Sequence, residues 1–230
     1  MMFGYEWDLS SNLAFAVSIL PILLQGVWVT LMATALGFAI ALVLGLVLAL
    51  LRAVPLKLIS WPIGLVTEFI RATPLLVQLY FLYFVLPNYG VVLPAFLTGA
   101  IALGVQYSAY ISEVYRAGLE AIPKGQWEAA RALNMPALLT YRDVVVPQAV
   151  PRIVPALGNY LISMLEDTPI LSAVTVLEML NIATIIGDRT FRYFVPITLV
   201  GALFLVLTLL AAALVRLLEA RLPKDGVALR

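Results

Sequence analysis

Five stretches of the chain stay apolar for long enough to cross a bilayer as helix, which takes about 20 residues: 24–51, 60–86, 94–115, 150–176 and 195–221. Polar positions gather between them, most densely between the third and fourth stretches, where Arg116, Lys124, Arg131, Arg142 and Arg152 fall. The pattern predicts an all-α membrane protein with five transmembrane helices and one polar insert of roughly thirty residues, longer than a mere connection needs. Within the insert, Pro123 opens a helix at its first turn and the run QWEAARAL continues it with strong helix formers. Asn134, Met135 and Pro136 stop it, because Asn tolerates left-handed backbone and Pro cannot continue a helix. A second short helix is expected to run to Val146, with Pro147 opening the next element, so that two short helices at an angle form a compact knob.

Basic residues give the spans their direction. Arg52 and Lys57 follow the first span, the five named above lie in the insert, and Arg216, Arg221, Lys224 and Arg230 end the chain, so eleven of the fourteen fall on one side. That side is predicted to be cytoplasmic, with the N-terminus outside and the C-terminus inside. Arg189 and Arg192 break the rule in the last external loop. Residues 1–19 carry Glu6 and Asp8 but no Lys or Arg. They therefore lack the basic start of a cleaved signal peptide and read as a retained external segment.

Composition excludes several kinds of chemistry. Apolar residues make up 63% of the 230 and charged residues only 12%, with a net charge of +1, a balance typical of membrane proteins. Without Cys or His there is no disulfide, thiolate, imidazole base or usual zinc ligand set, and nothing favours nucleic acid as a partner. Ala33, Gly37, Ala41, Gly45 and Ala49 recur every four residues and lay a smooth stripe along the first span. Such a stripe lets helix backbones approach closely, although Ala and Gly are also simply frequent in membrane helices.

The segments EAARALNM and VVVPQA resemble the EAA loop of type I ABC importer permeases, which usually reads EAA, three residues, Gly, and later a hydrophobic residue, Leu and Pro. Asn134 stands here in the Gly place and Val146 in the Leu place. Three further blocks are similar to the polar amino acid subfamily: RATPLLVQLYFLYFVLP at 71–87, GVQYSAYISEVYRAGLEAIPKGQWEAA at 104–130, and LEDTPILSAVTVLEM at 165–179. The last block, with IIGDRTFRYFVP after it, looks most like permeases for ectoine and hydroxyectoine.

The resemblance implies a permease domain over 20–221, a cytoplasmic coupling loop at about 117–147 and a cytoplasmic tail at 222–230, in a bacterial inner membrane. It further implies a non-catalytic subunit that binds no cofactor, since no G-x-x-x-x-G-K-[ST] loop is present. ATP and Mg would sit on a cytoplasmic ABC ATPase dimer. An identical or related second permease and an extracytoplasmic substrate-binding protein complete the implied assembly. Glu128, Ala129, Ala130, Arg131, Asn134 and Met135 are the implied ATPase-docking residues. A Glu near a helix start is also favourable with the helix dipole alone, and Ala is the best helix former.

For the substrate, Glu166, Asp167 and Thr168 attract attention because ionisable groups inside a span default to a cavity or a partner. Pro169 is expected to leave the Leu165 carbonyl free to accept from a ligand, and broken helices mark binding sites in transporters. Asn159 and Ser163 share a helix face with Glu166. Arg71, Gln78, Gln106, Tyr107 and Ser108 are candidates by type to recognise a carboxylate. Glu166 and Asp167 could equally pair with basic residues of another subunit. Glu68 with Arg71, and Glu113 with Arg116, are expected to be structural pairs, and Trp61, Tyr80, Tyr83 and Tyr89 read as interfacial anchors or packing.

Two readings from other classes stand beside the importer. A self-sufficient ion-coupled carrier or channel would use Glu166 and Asp167 as a relay, but it leaves the knob without a purpose. A membrane enzyme with paired carboxylates is disfavoured because neighbours on a helix point about 100° apart.

Overall fold

A computed structural model describes residues 7–222; the far ends of the expected external segment and cytoplasmic tail, 1–6 and 223–230, lie outside the described residues. All regular structure among the described residues is helical. The elements are α1 (Asn12–Ala53), α2 (Lys57–Ala72), α3 (Leu75–Tyr80), α4 (Ala95–Glu120), α5 (Lys124–Ala132), α6 (Ala137–Leu139), α7 (Val146–Asp167), α8 (Met179–Thr190) and α9 (Phe194–Ala220). Short π-helical and 3-10 turns link α3 to the loop before α4, α6 to α7, and α7 toward α8. Three helices, α1, α4 and α9, are long and apolar enough to cross a membrane, and the number reaches five if each of two bent pairs counts as one span.

The second apolar stretch is not a straight span. Its two halves, Lys57–Ala72 and Leu75–Tyr89, meet at 102°. The cause is Pro74: the residue before a proline is pushed out of the helical region, and Thr73 is extended there, with φ −98 and ψ 131. A second bent pair, Ala137–Val174 with Met179–Thr190, turns less, by 47°, so that the fourth stretch leads into a further helix, α8, beyond its expected end. Thr175 sits at that break in left-handed backbone, with φ 66, which for a residue other than Gly costs roughly 1–2 kcal/mol.

Helix α1 is 42 residues long, opening well before the expected 24–51 span, and two separate cores lean on it. Its middle and C-terminal half packs on α4. All five residues of the small stripe are buried, and the close approach is genuine: a Cβ added to Gly104 would fall 2.5 Å from Ile40 Cγ2 and 3.1 Å from the Gly37 carbonyl oxygen. Around this contact lie Leu75, Leu79, Leu103, Tyr107, Met164 and Leu171. The N-terminal part of α1 buries Phe15, Ile19, Ile22 and Leu23 against Met179, Ile182 and Ile186 of α8 and Val195 and Val200 of α9. Here Gly26 is the contact point, since a Cβ on it would fall 2.8 Å from the Met179 Cα.

The basic ends of the helices come together. Arg52 at the end of α1 pairs with Glu113 of α4, and Arg116 bridges Glu113 at 2.8 Å and Glu120 at 2.7 Å. The Glu113–Arg116 pair is thus present but belongs to a cluster of four charges that joins two helices. Glu68 and Arg71 pair at 3.0 Å as expected. Arg192, which broke the charge rule, donates to the Leu9 carbonyl at 2.9 Å and ties the loop before α9 to the chain preceding α1.

Candidate translocation and docking sites

The knob forms much as its residues direct. Pro123 is the N-cap of α5, and Asn134 follows its end in left-handed backbone at φ 51. The Met135 N–H reaches back to the Ala130 carbonyl at 3.0 Å and the Asn134 N–H to Arg131 at 2.9 Å, the two reciprocal bonds of a Schellman ending. Pro136 then prevents continuation. The expected second short helix is not separate: α6 and the π turn Thr140–Val145 run straight into α7. Pro147 stands in the first turn of α7, directly after the π turn, and the helical run continues through it.

Trp127 packs edge-on against Tyr141 at 5.3 Å, and the Gln148 side-chain amide donates to Gln126 at 3.2 Å. Arg152 donates to the Ala121 carbonyl. These contacts seat α5 on the root of α7, where Ile122, Val145, Ala149 and Ile153 form a small core. Glu128, Ala129, Arg131 and Asn134 face outward and Met135 is half-buried, whereas Ala130 is turned inward and buried. Leu133 and Leu138, which sequence reasoning passed over, are 75% and 79% exposed beside them.

The second site lies among α2, α3, α4 and α7. Tyr107 donates its hydroxyl to Asp167 Oδ2 at 2.7 Å, linking α4 to the end of α7. Tyr160 of α7 stacks on Tyr110 at 5.7 Å and meets Tyr107 edge-on at 6.2 Å. The Arg71 guanidinium lies over the Tyr110 ring at 5.7 Å, and its buried Nε has no partner. Gln106 donates to the Tyr110 hydroxyl at 3.2 Å and accepts from Gln78. Gln78 also donates to the Ile70 and Thr73 carbonyls, at 2.9 and 3.1 Å, so it closes the open end of α2 at the bend. Tyr110 and Tyr160 were missed as candidates, because a tyrosine inside a span reads first as packing.

The remaining candidates are dispersed. Glu166 points away from Asp167 and, with Pro169, Phe204, Leu205 and Thr208, lines a hollow of about 300 Å³ against α9. Asn159 and Ser163 are exposed on α7, seven and three residues before Glu166, and the three make one polar stripe. Ser108 and Thr168 are fully buried, with hydroxyls donating to the Val105 and Leu165 carbonyls at 2.7 and 2.8 Å. The Leu165 carbonyl is therefore not free, contrary to expectation: the Thr168 N–H also bonds to it, a 3-10 closure that replaces the bond Pro169 removes. Glu178, another missed residue, is fully buried and caps α8 by accepting from the Leu180 and Asn181 N–H groups at 2.8 and 2.6 Å.

A helical membrane bundle with an exposed, compact knob at its basic end and polar residues along inner helices defines a transport subunit that works with other chains. The chain belongs to the family of binding-protein-dependent transport system inner membrane components, whose sequence profile matches residues 41–224. A Sinorhizobium fredii protein named probable amino-acid ABC transporter permease protein y4tG is 56% identical over 231 residues, covering 100% of both chains. The arginine transport system permease protein ArtQ of Bacillus subtilis is 34% identical, over 93% of this chain and 99% of that one. Among solved structures, the crystal structure of an amino acid ABC transporter with histidines superposes with a TM-score of 0.86 at 39% identity, covering 94% of this chain and 100% of that one.

The protein is thus a multi-pass inner-membrane permease subunit of an ABC importer. It is not itself an enzyme, the ATPase being a separate subunit. Nothing in its relatives or its fold favours the self-sufficient carrier.

Proposed function

We propose that this permease carries polar zwitterions with a cationic part, either polar amino acids or a cyclic amidine such as ectoine or hydroxyectoine. The observation that carries the reading is Asp167 held by the Tyr107 hydroxyl, with the Tyr107 ring packed in one cluster with those of Tyr110 and Tyr160. Aromatic faces attract cations by about 0.5–2 kcal/mol each, most where water is excluded, and a neighbouring carboxylate supplies the countercharge. Arg71, whose Nε lacks a partner, lies over the Tyr110 ring and offers a donor for the carboxylate of the solute. Gln106 holds the Tyr110 hydroxyl and is itself held by Gln78. The names of the relatives, which include amino-acid and arginine permeases, agree with this class.

The polar stripe of Asn159, Ser163 and Glu166 faces out of the single chain, where bare lipid would disfavour it. In the assembly it meets the path shared with a second permease, identical or related. The exposed knob, with Glu128, Ala129 and Arg131 beside Leu133 and Leu138, seats in one subunit of a cytoplasmic ATPase dimer that holds ATP and Mg; Asn134 and Met135 supply the helix ending that shapes it. An extracytoplasmic binding protein delivers the solute.

The test is solute uptake by the whole importer, purified from its host with its partners and reconstituted in liposomes. Asp167→Asn is expected to cut uptake of arginine or ectoine at least tenfold while leaving basal ATP hydrolysis in place, and to affect a neutral amino acid less. Equal loss for cationic and neutral solutes would remove the cation-binding role from Asp167.

A further inference from the structure

Helix α2 is amphipathic in the reverse sense to a soluble helix. Its buried side carries Thr67 and faces α1 and α4, and its Gly64 lies against the Arg52 side chain, 3.8 Å from an added Cβ. Its outward side carries Leu58, Trp61, Leu65 and Phe69, which are 80%, 68%, 52% and 70% exposed. These recur at i, i+3, i+7 and i+11, one continuous apolar face. Because α2 turns 102° away from the segment that follows it, it does not run along that segment through the bilayer. A helix with a tryptophan-bearing apolar face and a lysine at its start lies along the membrane interface.

Beside it opens a groove of about 910 Å³, lined by Arg52, Lys57, Ser60, Trp61 and Glu68 together with apolar residues of α2. The charges in this groove do not balance. Arg52 is spent on Glu113 and Glu68 on Arg71, whereas Lys57 makes no ion pair among the described residues. Lys57 also stands in the first turn of α2, whose N-cap Leu56 offers no side chain to the free N–H groups. Positive charge and unsatisfied donors therefore meet at one mouth of the groove, and aromatic and aliphatic surface lies at the other.

We propose that this groove holds an anionic phospholipid, its phosphate at the Lys57 side chain and the Lys57 and Leu58 N–H groups, since the Ser60 hydroxyl and the Ile59 and Ser60 N–H groups already donate to the Leu56 carbonyl, and its acyl chains along Trp61 and Leu65. The lipid would fix α2 at the interface and so brace the end of α1. The inference does not depend on which solute is carried.

Native mass spectrometry of the purified whole importer, titrated with phosphatidylglycerol or phosphatidylcholine, tests the site. Wild-type protein should retain phosphatidylglycerol in preference to phosphatidylcholine. Lys57→Gln should lower that retention severalfold and leave phosphatidylcholine unchanged, and Lys57→Arg should restore it. Glycerol phosphate should not compete at millimolar concentration; if it did, the site would be one for a free phosphate rather than a lipid. Unchanged phosphatidylglycerol retention by Lys57→Gln would overturn the proposal. So would a photocrosslink from position 61 to the second permease in place of lipid.

Discussion

The Tyr107 hydroxyl and Asp167 Oδ2 lie 2.7 Å apart, one on α4 and the other at the last turn of α7. A hydrogen bond to a charged acceptor is worth about 1.5–3 kcal/mol, so this pair both fixes the Asp167 rotamer and joins two helices. Tyr107→Phe keeps the ring and its packing on Tyr160 but releases the carboxylate. The expected outcome is an importer that still assembles, melts a few degrees lower and shows a raised KM for a cationic solute with kcat nearly unchanged. Transport kinetics and a thermal melt on the same preparation check it.

Gly104 faces Ile40 with no room for a side chain. Gly104→Val should force α4 away from α1, at about 1–3 kcal/mol for overpacking, and lower the melting midpoint in detergent. Gly104→Ala should show a smaller loss of the same kind, because its Cβ already meets Ile40, and adding Ile40→Ala should recover most of it. A double variant no better than Gly104→Ala alone would show that the two residues do not share one contact.

At the knob, Glu128→Lys should abolish uptake while the protein stays in the membrane and keeps its permease partner, because Glu128 is exposed and supports no internal contact. Asn134→Gly should be close to neutral, since Gly tolerates the left-handed backbone at φ 51. Asn134→Val should weaken ATPase co-purification by loosening the end of α5. Pull-down of the ATPase by each variant separates loss of a contact from loss of the helix ending.

Glu178 closes the first turn of α8 from a fully buried position. Glu178→Ala removes two acceptors at once, and cap removal typically costs about 0.5–2 kcal/mol. The Leu180 and Asn181 amides should exchange with deuterium several times faster than in the wild type, while those of α4 stay unchanged. Equal acceleration throughout the protein would instead point to global destabilisation.

Local chemistry made part of this structure legible in advance. Asn134 and Pro136 announce the end of α5, and the four-residue period of Ala and Gly announces the α1–α4 contact, because each effect acts within a turn or along one face. The bend at Pro74 was written in the sequence too, yet the apolar run around it masked it. The site was less readable. Glu166 and Asp167 are neighbours in sequence but serve different faces, and only the three-dimensional arrangement brings Tyr110 and Tyr160 against Tyr107, the partner of Asp167. Ser108 and Thr168 looked available by type, whereas both hydroxyls are occupied by the carbonyl three residues back, a local bond that Ser and Thr readily make in helices.

The length of α1 bears on how the protein is made. Its 42 residues extend about 63 Å at 1.5 Å per residue, roughly twice the hydrocarbon thickness, so it must tilt steeply or project from the bilayer. It also leaves the ribosome before every other described element, while the face built from Phe15, Ile19 and Leu23 finds its partners only in α8 and α9. Through most of synthesis that face has no protein to cover it. Lipid, or a membrane insertase, must shelter it until residues 179–200 arrive, and a ribosome that stalls earlier leaves a chain with one core closed and the other open.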